Sequence, residues 1–512
     1  MRLGADALQA PAVVGSHPLA TAGAGGVVKR LRVLQAASEA WPLIKTGGLG
    51  DVAGALPPAL RALGVDVRLV LPAYPAVREA LTGAKAVARS ALYGGSVTLL
   101  RGELPAGGRR RLPVYLIAAP AFERAGNPYQ TANGEDWPDN AARFALFCRA
   151  AAALALGHFA PHWCADIVHA HDWQAGLLAA LLSLQPRRPS TVFTVHNLAY
   201  QGLVDGAAAD ALSLPPQWWR PDALEFYGRL ALIKGGLAFA DRITTVSPRY
   251  AQEIQTAEYG CGLDGLLRYR SNVLTGILNG IDTTAWNPAT DPALPVRYDA
   301  RTLERKAANK AALQDELGLA PAADVLLMGL VSRLVEQKGI DLLLAALETL
   351  PPGVQVAVLG SGEAGYEAAL KAAAARHPGR VAFRAGYDEA LAHRIQGGAD
   401  ALLVPSRFEP CGLTQLYALR YGTIPIVRAV GGLADTVVDA TAAHLDAGDA
   451  TGIVFEQASG AALAAAIRRA LALYRAGQPW RQMQQAGMAQ DHSWSRAAGH
   501  YLALYQDLIG KH

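Results

Sequence analysis

The chain has 512 residues, of which 51% are hydrophobic and 18% charged, with a formal net charge of +4. That length exceeds what one hydrophobic core serves, so two or more domains are expected, and the small charge excludes a broad positive field for nucleic acid or an anionic membrane. No window approaches the roughly 18 consecutive apolar residues of a membrane span. Cys148, Cys164, Cys261 and Cys411 lie far apart with no Cys-x-x-Cys pair, which argues against a zinc site or disulfide framework and fits a reducing cytoplasm.

Residues 1–29 are rich in Ala and Gly, carry Pro11 and Pro18, and lack the charged start and unbroken apolar stretch of a secretory signal. They read as a disordered N-terminal extension. From Leu31 onward short apolar runs alternate with helical stretches: Leu31 to Leu34, Val67 to Leu71, Val114 to Ile117, Asp166 to His169, Thr191 to Val195 and Arg242 to Val246. Strands separated by helices give a parallel sheet, whose ligands gather at the strand carboxyl ends.

The first such end carries Lys45-Thr46-Gly47-Gly48-Leu49-Gly50-Asp51-Val52, ahead of a helix-like stretch from Ala53 to Leu63. Glycines there allow close backbone approach, and the amides that open the helix suit phosphate, with Lys45 as an added cation. The spacing is neither the Rossmann fingerprint nor a P-loop. Two later strands end in His169-Ala170-His171-Asp172 and in His196-Asn197. A metal reading of the first lacks a third ligand, and Asp172 would serve as a helix cap.

Asp291 and the prolines 288, 292 and 295 interrupt the pattern and read as an interdomain connection. The alternation then restarts with strands at Val325 to Val331, Val354 to Leu359, Val381 to Ala385, Ala401 to Val404 and Ile424 to Val427, and a helix from Glu336 to Leu350. The fold class expected is therefore α/β, with two Rossmann-like doubly wound domains. Arg333 and Lys338 stand together at a helix start, either as an ordinary solvated pair or, since like charge beside the positive helix end is unfavourable, as a site for an anionic ligand. Glu409 precedes Cys411-Gly412-Leu413-Thr414, amides that open another helix, so it is either a simple cap or a sugar contact.

The Lys45–Val52 stretch, the Glu409-Pro410-Cys411-Gly412-Leu413-Thr414-Gln415 string and the loops around His196, Asn279 and Tyr387 resemble bacterial glycogen synthases and plant starch synthases, over nearly the whole chain from Leu31 to about Leu508. The general Glu-x7-Glu signature of retaining glycosyltransferases would place an acid at 417, where this chain has Tyr417, a departure that matches the bacterial subgroup. The resemblance implies two domains facing across a deep cleft (the GT-B type), with boundaries at 30–285 and 286–485 and a last segment, 486–512, whose helix returns to the first domain. It implies transfer of glucose from ADP-glucose to the non-reducing end of an α-1,4-glucan with retention, without metal or organic cofactor. By the same resemblance Glu409, His196, Arg333 and Lys338 are catalytic. Lys45, Gly48, Asp51, Asp172, Asn197, Asn279, Tyr387, Cys411, Gly412, Leu413 and Thr414 bind substrate, Tyr387 by stacking on adenine. A UDP-sugar transferase of the same fold and a non-catalytic glucan-binding protein are the alternatives, and the oligomeric state is left open. Double displacement would require a carboxylate nucleophile; none declares itself, and front-face displacement is preferred.

Overall fold

The computed structural model describes residues 30–92, 95–131, 133–159 and 162–510; the extension expected over 1–29 lies outside the described residues. The first half supplies β1 (Arg32–Ala36), β2 (Asp66–Pro72), β3 (Lys85–Leu92), β4 (Gly95–Pro105), β5 (Arg111–Ala118), β6 (Ile167–His171), β7 (Ser190–Val195), β8 (Leu203–Val204), β9 (Glu225–Phe226), β10 (Arg229–Ala231), β11 (Arg242–Thr245) and β12 (Leu274–Gly276). Nine of these form one sheet in the order β12-β11-β7-β6-β1-β2-β5-β4-β3, while β8, β10 and β9 form a small sheet of their own. The pairings from β12 through β1 to β5 are parallel, and only the β5-β4-β3 edge is antiparallel. Sequence periodicity finds β1, β2, β5, β6, β7 and β11; it misses the short parallel edge strand β12 and the β3–β4 hairpin, whose alternation is mixed with charged residues on its exposed face.

The second half supplies β13 (Leu326–Val331), β14 (Val354–Gly360), β15 (Val381–Ala385), β16 (Ala401–Val404), β17 (Ile424–Arg428) and β18 (Ile453–Phe455), parallel throughout in the order β15-β14-β13-β16-β17-β18. Helices cover both faces of each sheet, and separate apolar clusters fill the layers. Strands buried on both sides, such as β6, β7 and β14, carry near-continuous apolar runs for that reason.

The strand order reverses beside β1 in the first sheet and beside β13 in the second. Each reversal opens a crevice between the carboxyl ends of two neighbouring strands, β1 and β6 in one sheet, β13 and β16 in the other. The chain passes between the sheets twice at one place: Ile281 N donates to His492 O at 2.8 Å, and Gly280 has no room for a Cβ against Trp494. The helix Gln478–Ala489, packed beside the second sheet, runs through the expected boundary at 485/486 and ends only at Ala489. Beyond it the helix Trp494–Ile509 lies on the helix Gly48–Ala62, burying Trp494, Tyr501, Tyr505 and Leu508 against Val52, Leu56 and Leu60.

The expected helix over Glu336 to Leu350 is shorter. A single 3-10 turn at Glu336–Lys338 is followed by an α-helix at Ile340–Leu347. Gly339 between them has φ +67 and packs so closely on Pro405 O that only glycine fits. Arg333 therefore lies in the loop after β13 and Lys338 in the 3-10 turn, so neither is a cation in the first turn of an α-helix.

Close packing also explains a glycine that the motif reading passes over. A Cβ on Gly54 would stand 2.1 Å from Trp41 O, whereas one on Gly48 meets nothing within 4 Å. Gly54→Ala is expected to lose about 1–3 kcal/mol of stability in urea unfolding, and Gly48→Ala to leave stability near wild type.

Candidate active site

A cleft of about 1070 Å³ joins the two crevices. Of the expected site residues, Lys45, Gly48, Asp51, Asp172, His196, Asn197, Asn279, Arg333, Lys338, Glu409, Cys411, Gly412, Leu413 and Thr414 all line it. Tyr387 does not. It follows β15, is 79% exposed, and its hydroxyl donates to the Glu389 carboxylate.

On the first wall the loop after β1 ends at Gly47, and the helix begins at Gly48. Lys45 Nζ lies 2.8 Å from Asp51 Oδ1, so the cation expected to stand free beside the glycines is paired across the loop. Behind them Glu39, 2% exposed, accepts from Thr46 N and so holds the loop's approach. Burial pushes Glu39 up to about 7 against the opposing bond from Thr46. Sequence reasoning missed Glu39; its signal was an acid placed directly after an apolar strand, three residues beyond its end.

The loops after β6 and β7 form the next part of the wall. Asp172 does not cap the helix that follows it. It has φ +55, an uncommon conformation for a non-glycine residue, and this turns its Oδ1 to accept from His196 N at 2.7 Å. Burial raises its carboxyl to about 7, opposed by the amides of His196 and Asn197. The His196 ring faces His171, with Nε2 3.0 Å from His171 Nδ1, and burial lowers His196 to about 3. It is thus a neutral imidazole at physiological pH. His169 turns away from the cleft, engaging Tyr505 Oη at 2.7 Å and Thr194 Oγ1 at 2.5 Å.

The second wall is built from the loops after β13 and β16. Lys338 Nζ lies 2.5 Å from Glu409 Oε2, which also accepts from Ser406 Oγ at 2.9 Å. The Glu409 carboxylate is thus engaged by two side chains, and the helix Thr414–Arg420 that follows has no side-chain cap. Gly431 and Gly432 press on this loop, with no room for a Cβ against Glu409 O or Cys411 O. The Gln415 amide holds the Cys411 and Gly412 carbonyls at 3.0 Å each. Arg333 is exposed to the cleft and forms no ion pair among the described residues. Asn279, at the crossing between the sheets, is buried, and its Oδ1 is unpartnered among the described residues. Burial pushes the neighbouring Cys411 thiol up to about 12.

One exposed arginine, two paired lysines, a neutral histidine and a glycine loop, set on two facing crevices, suit a ligand with a diphosphate and a sugar. Fold and site together define a two-domain glycosyltransferase that takes a nucleotide-activated sugar. Residues 32–269 match the starch synthase catalytic domain family and residues 319–487 the glycosyl transferases group 1 family. The chain is 55% identical to glycogen synthase 1 of Methylococcus capsulatus, over 94% of its own length and 97% of that protein, and 53% identical to the glycogen synthase of Thioalkalivibrio sulfidiphilus, over 94% and 100%. The solved catalytic domain of starch synthase IV from Arabidopsis thaliana, bound to ADP and acarbose, superposes with a TM-score of 0.84 at 35% identity, covering 94% of this chain and 100% of that one. The chain belongs to the glycogen synthase family. Among the described residues no helix is long and apolar enough to cross a membrane.

The raised carboxyls make stability depend on pH. Unfolded Glu and Asp titrate near ~4, whereas Glu39 and Asp172 titrate near 7 in the fold. Between those values the native state holds protons that the unfolded state has released, so their contribution to stability falls as pH rises through that window. Glu39→Gln keeps an acceptor for Thr46 N and should flatten the decline of Tm with rising pH. An unchanged slope would mean that Glu39 does not titrate there.

Proposed function

We propose that this protein transfers glucose from ADP-glucose to the 4-hydroxyl at the non-reducing end of an α-1,4-glucan, with retention, as a glycogen synthase acting in the cytoplasm. The observation that carries the site assignment is the convergence of Arg333, the Lys338–Glu409 pair, His196 and the Lys45 loop on one cleft. Arg333 and Lys338 stabilise the charge that grows on the departing diphosphate. Glu409, oriented by Lys338 and Ser406, takes the glucose hydroxyls, and His196 meets the sugar from the opposite wall. Lys45, Gly48 and Asp51 hold the phosphates from the first domain, while Cys411, Gly412, Leu413, Thr414 and Asn279 complete the donor side. Asp172 and Asn197 support the wall around His196, and the adenine role falls to Tyr387, which stands outside the cleft lining. The relatives named glycogen synthase and the starch synthase bound to ADP support this choice of donor and acceptor.

Front-face displacement is the mechanism that the carboxylates favour. Each acid lining the cleft already has a partner: Glu39 with Thr46, Asp51 with Lys45, Asp136 with Gln130, Asp172 with His196, Asp205 with Arg229, and Glu409 with Lys338 and Ser406. A double displacement would have to release one of them as a nucleophile. The working domains in this reading are 30–285 and a second that runs from 286 through the helix Gln478–Ala489, with the helix Trp494–Ile509 closing back on the first.

The deciding assay supplies ADP-glucose or UDP-glucose with a maltooligosaccharide, without added metal, and follows nucleotide release and glucan lengthening. ADP-glucose should be strongly preferred. Equal use of both donors would remove the adenine role of Tyr387, and lengthening with neither would leave a glucan-binding protein. In the same assay Lys338→Ala is expected to lower kcat by roughly two orders of magnitude, the size of losing one preorganised charge stabiliser. Glu409→Gln should also cut kcat, because the substitute keeps the shape and loses the charge. Near-normal turnover in either variant would take the Lys338–Glu409 pair out of the mechanism.

A further inference from the structure

His171 is a buried histidine that the transfer reading does not use, and one of its nitrogens is an anomaly. It lies two residues beyond His169 on the same face of β6, with the ring centroids 4.1 Å apart, and its Nδ1 meets His196 Nε2 at 3.0 Å. Its Nε2 is buried and has no partner among the described residues. Burial lowers both His171 and His196 well below the usual imidazole range, so the rings are neutral and one proton lies between them.

Two arrangements satisfy that bond, and they leave different groups stranded. If His196 Nε2 donates, His171 must carry its own proton on Nε2, which becomes a buried N–H without an acceptor. If His171 Nδ1 donates, Nε2 is only a bare acceptor. A stranded N–H is the rarer and costlier outcome. His169 cannot relieve it, because both its nitrogens are engaged by Tyr505 and Thr194.

We propose that His171 is a positioning residue that donates from Nδ1 to His196 Nε2, fixing His196 as the Nδ1–H tautomer, whose remaining proton is offered to an oxygen of the bound sugar. The identity of that acceptor rests on the glucosyl-transfer reading; the tautomer does not. The adjacent residue completes the grip, since Asp172 holds the His196 backbone N–H while His171 holds the ring. The His171-Asp172 dipeptide at the end of β6 thus fixes both halves of the residue that follows β7.

Two measurements test this. In ligand-free protein labelled with 15N-histidine, two-bond 15N–1H correlations at neutral pH, assigned with His171→Asn and His196→Gln, should show both residues as Nδ1–H tautomers. His196 in the Nε2–H or charged form overturns the proposal, whether or not the enzyme transfers glucose. In the transfer assay His171→Asn, which places an amide N–H where Nδ1 stood, should stay close to wild type. His171→Leu should lose kcat by about tenfold or more with little change in donor KM. Equal kcat in the two variants, both folded by Tm, would also overturn it; should the leucine variant fail to fold, the spectrum of the wild-type protein decides. A wild-type protein that lengthens no glucan would instead sink the transfer reading and leave the tautomer result standing.

Discussion

A parallel sheet covered by helices on both faces leaves its polar chemistry almost nowhere to go except the carboxyl ends of its strands. That constraint operates twice in this chain. In the parallel part of each sheet the strand order reverses once, and at that reversal two loops diverge and leave a crevice. The glycine loop and the His171-Asp172 turn share the first crevice; the Arg333–Lys338 loop and the Glu409–Thr414 loop share the second. Neither crevice alone holds the full set of groups. The crossing at Ile281 and His492, together with the return of the last helix to the first domain, brings them together.

Burial then sets the charge state of the groups so assembled. The cleft histidine is kept neutral because desolvation penalises its cation, and Glu39 and Asp172 are pushed towards neutrality by the same effect. The two lysines stand beside carboxylates, Lys45 with Asp51 and Lys338 with Glu409. Arg333, by contrast, faces the cleft with no ion pair among the described residues. Backbone amides and carboxylates also join the two halves of the chain: Glu253 accepts from Gly431 N at 3.0 Å, and Arg249 N donates to Asp435 at 2.8 Å.

The departure at position 417 has a structural counterpart. Where the wider signature would place an acid, Tyr417 lines the cleft and stacks on Trp286 at 3.8 Å, and the other face of Trp286 stacks on His393, also at 3.8 Å. Burial opposes a charge on His393, but the Asp291 and Glu389 carboxylates outweigh it and raise it to about 9. Trp286 and Asp291 belong to the proline-bearing connection, so the aromatic stack ties that connection to the cleft wall.

Sequence by itself determined the elements and the loops that matter. Period and composition located most of the parallel strands, because strands buried on both faces must be apolar throughout, and missed the three-residue edge strands β12 and β18. The glycine and motif strings, through the family resemblance they carry, named fourteen of the residues that line the cleft. Pairing was beyond it. That Lys45 faces Asp51, that Glu409 is gripped by Lys338 and Ser406 instead of capping a helix, and that Glu39 buries its carboxyl behind the glycine loop all depend on distances between segments. The separation of Lys338 from Glu409, 71 residues along the chain and 2.5 Å in space, is the clearest case. Hydrophobic periodicity is a local property of the chain, whereas charge state and hydrogen-bond partner are set by burial and by neighbours that only the tertiary fold brings within reach.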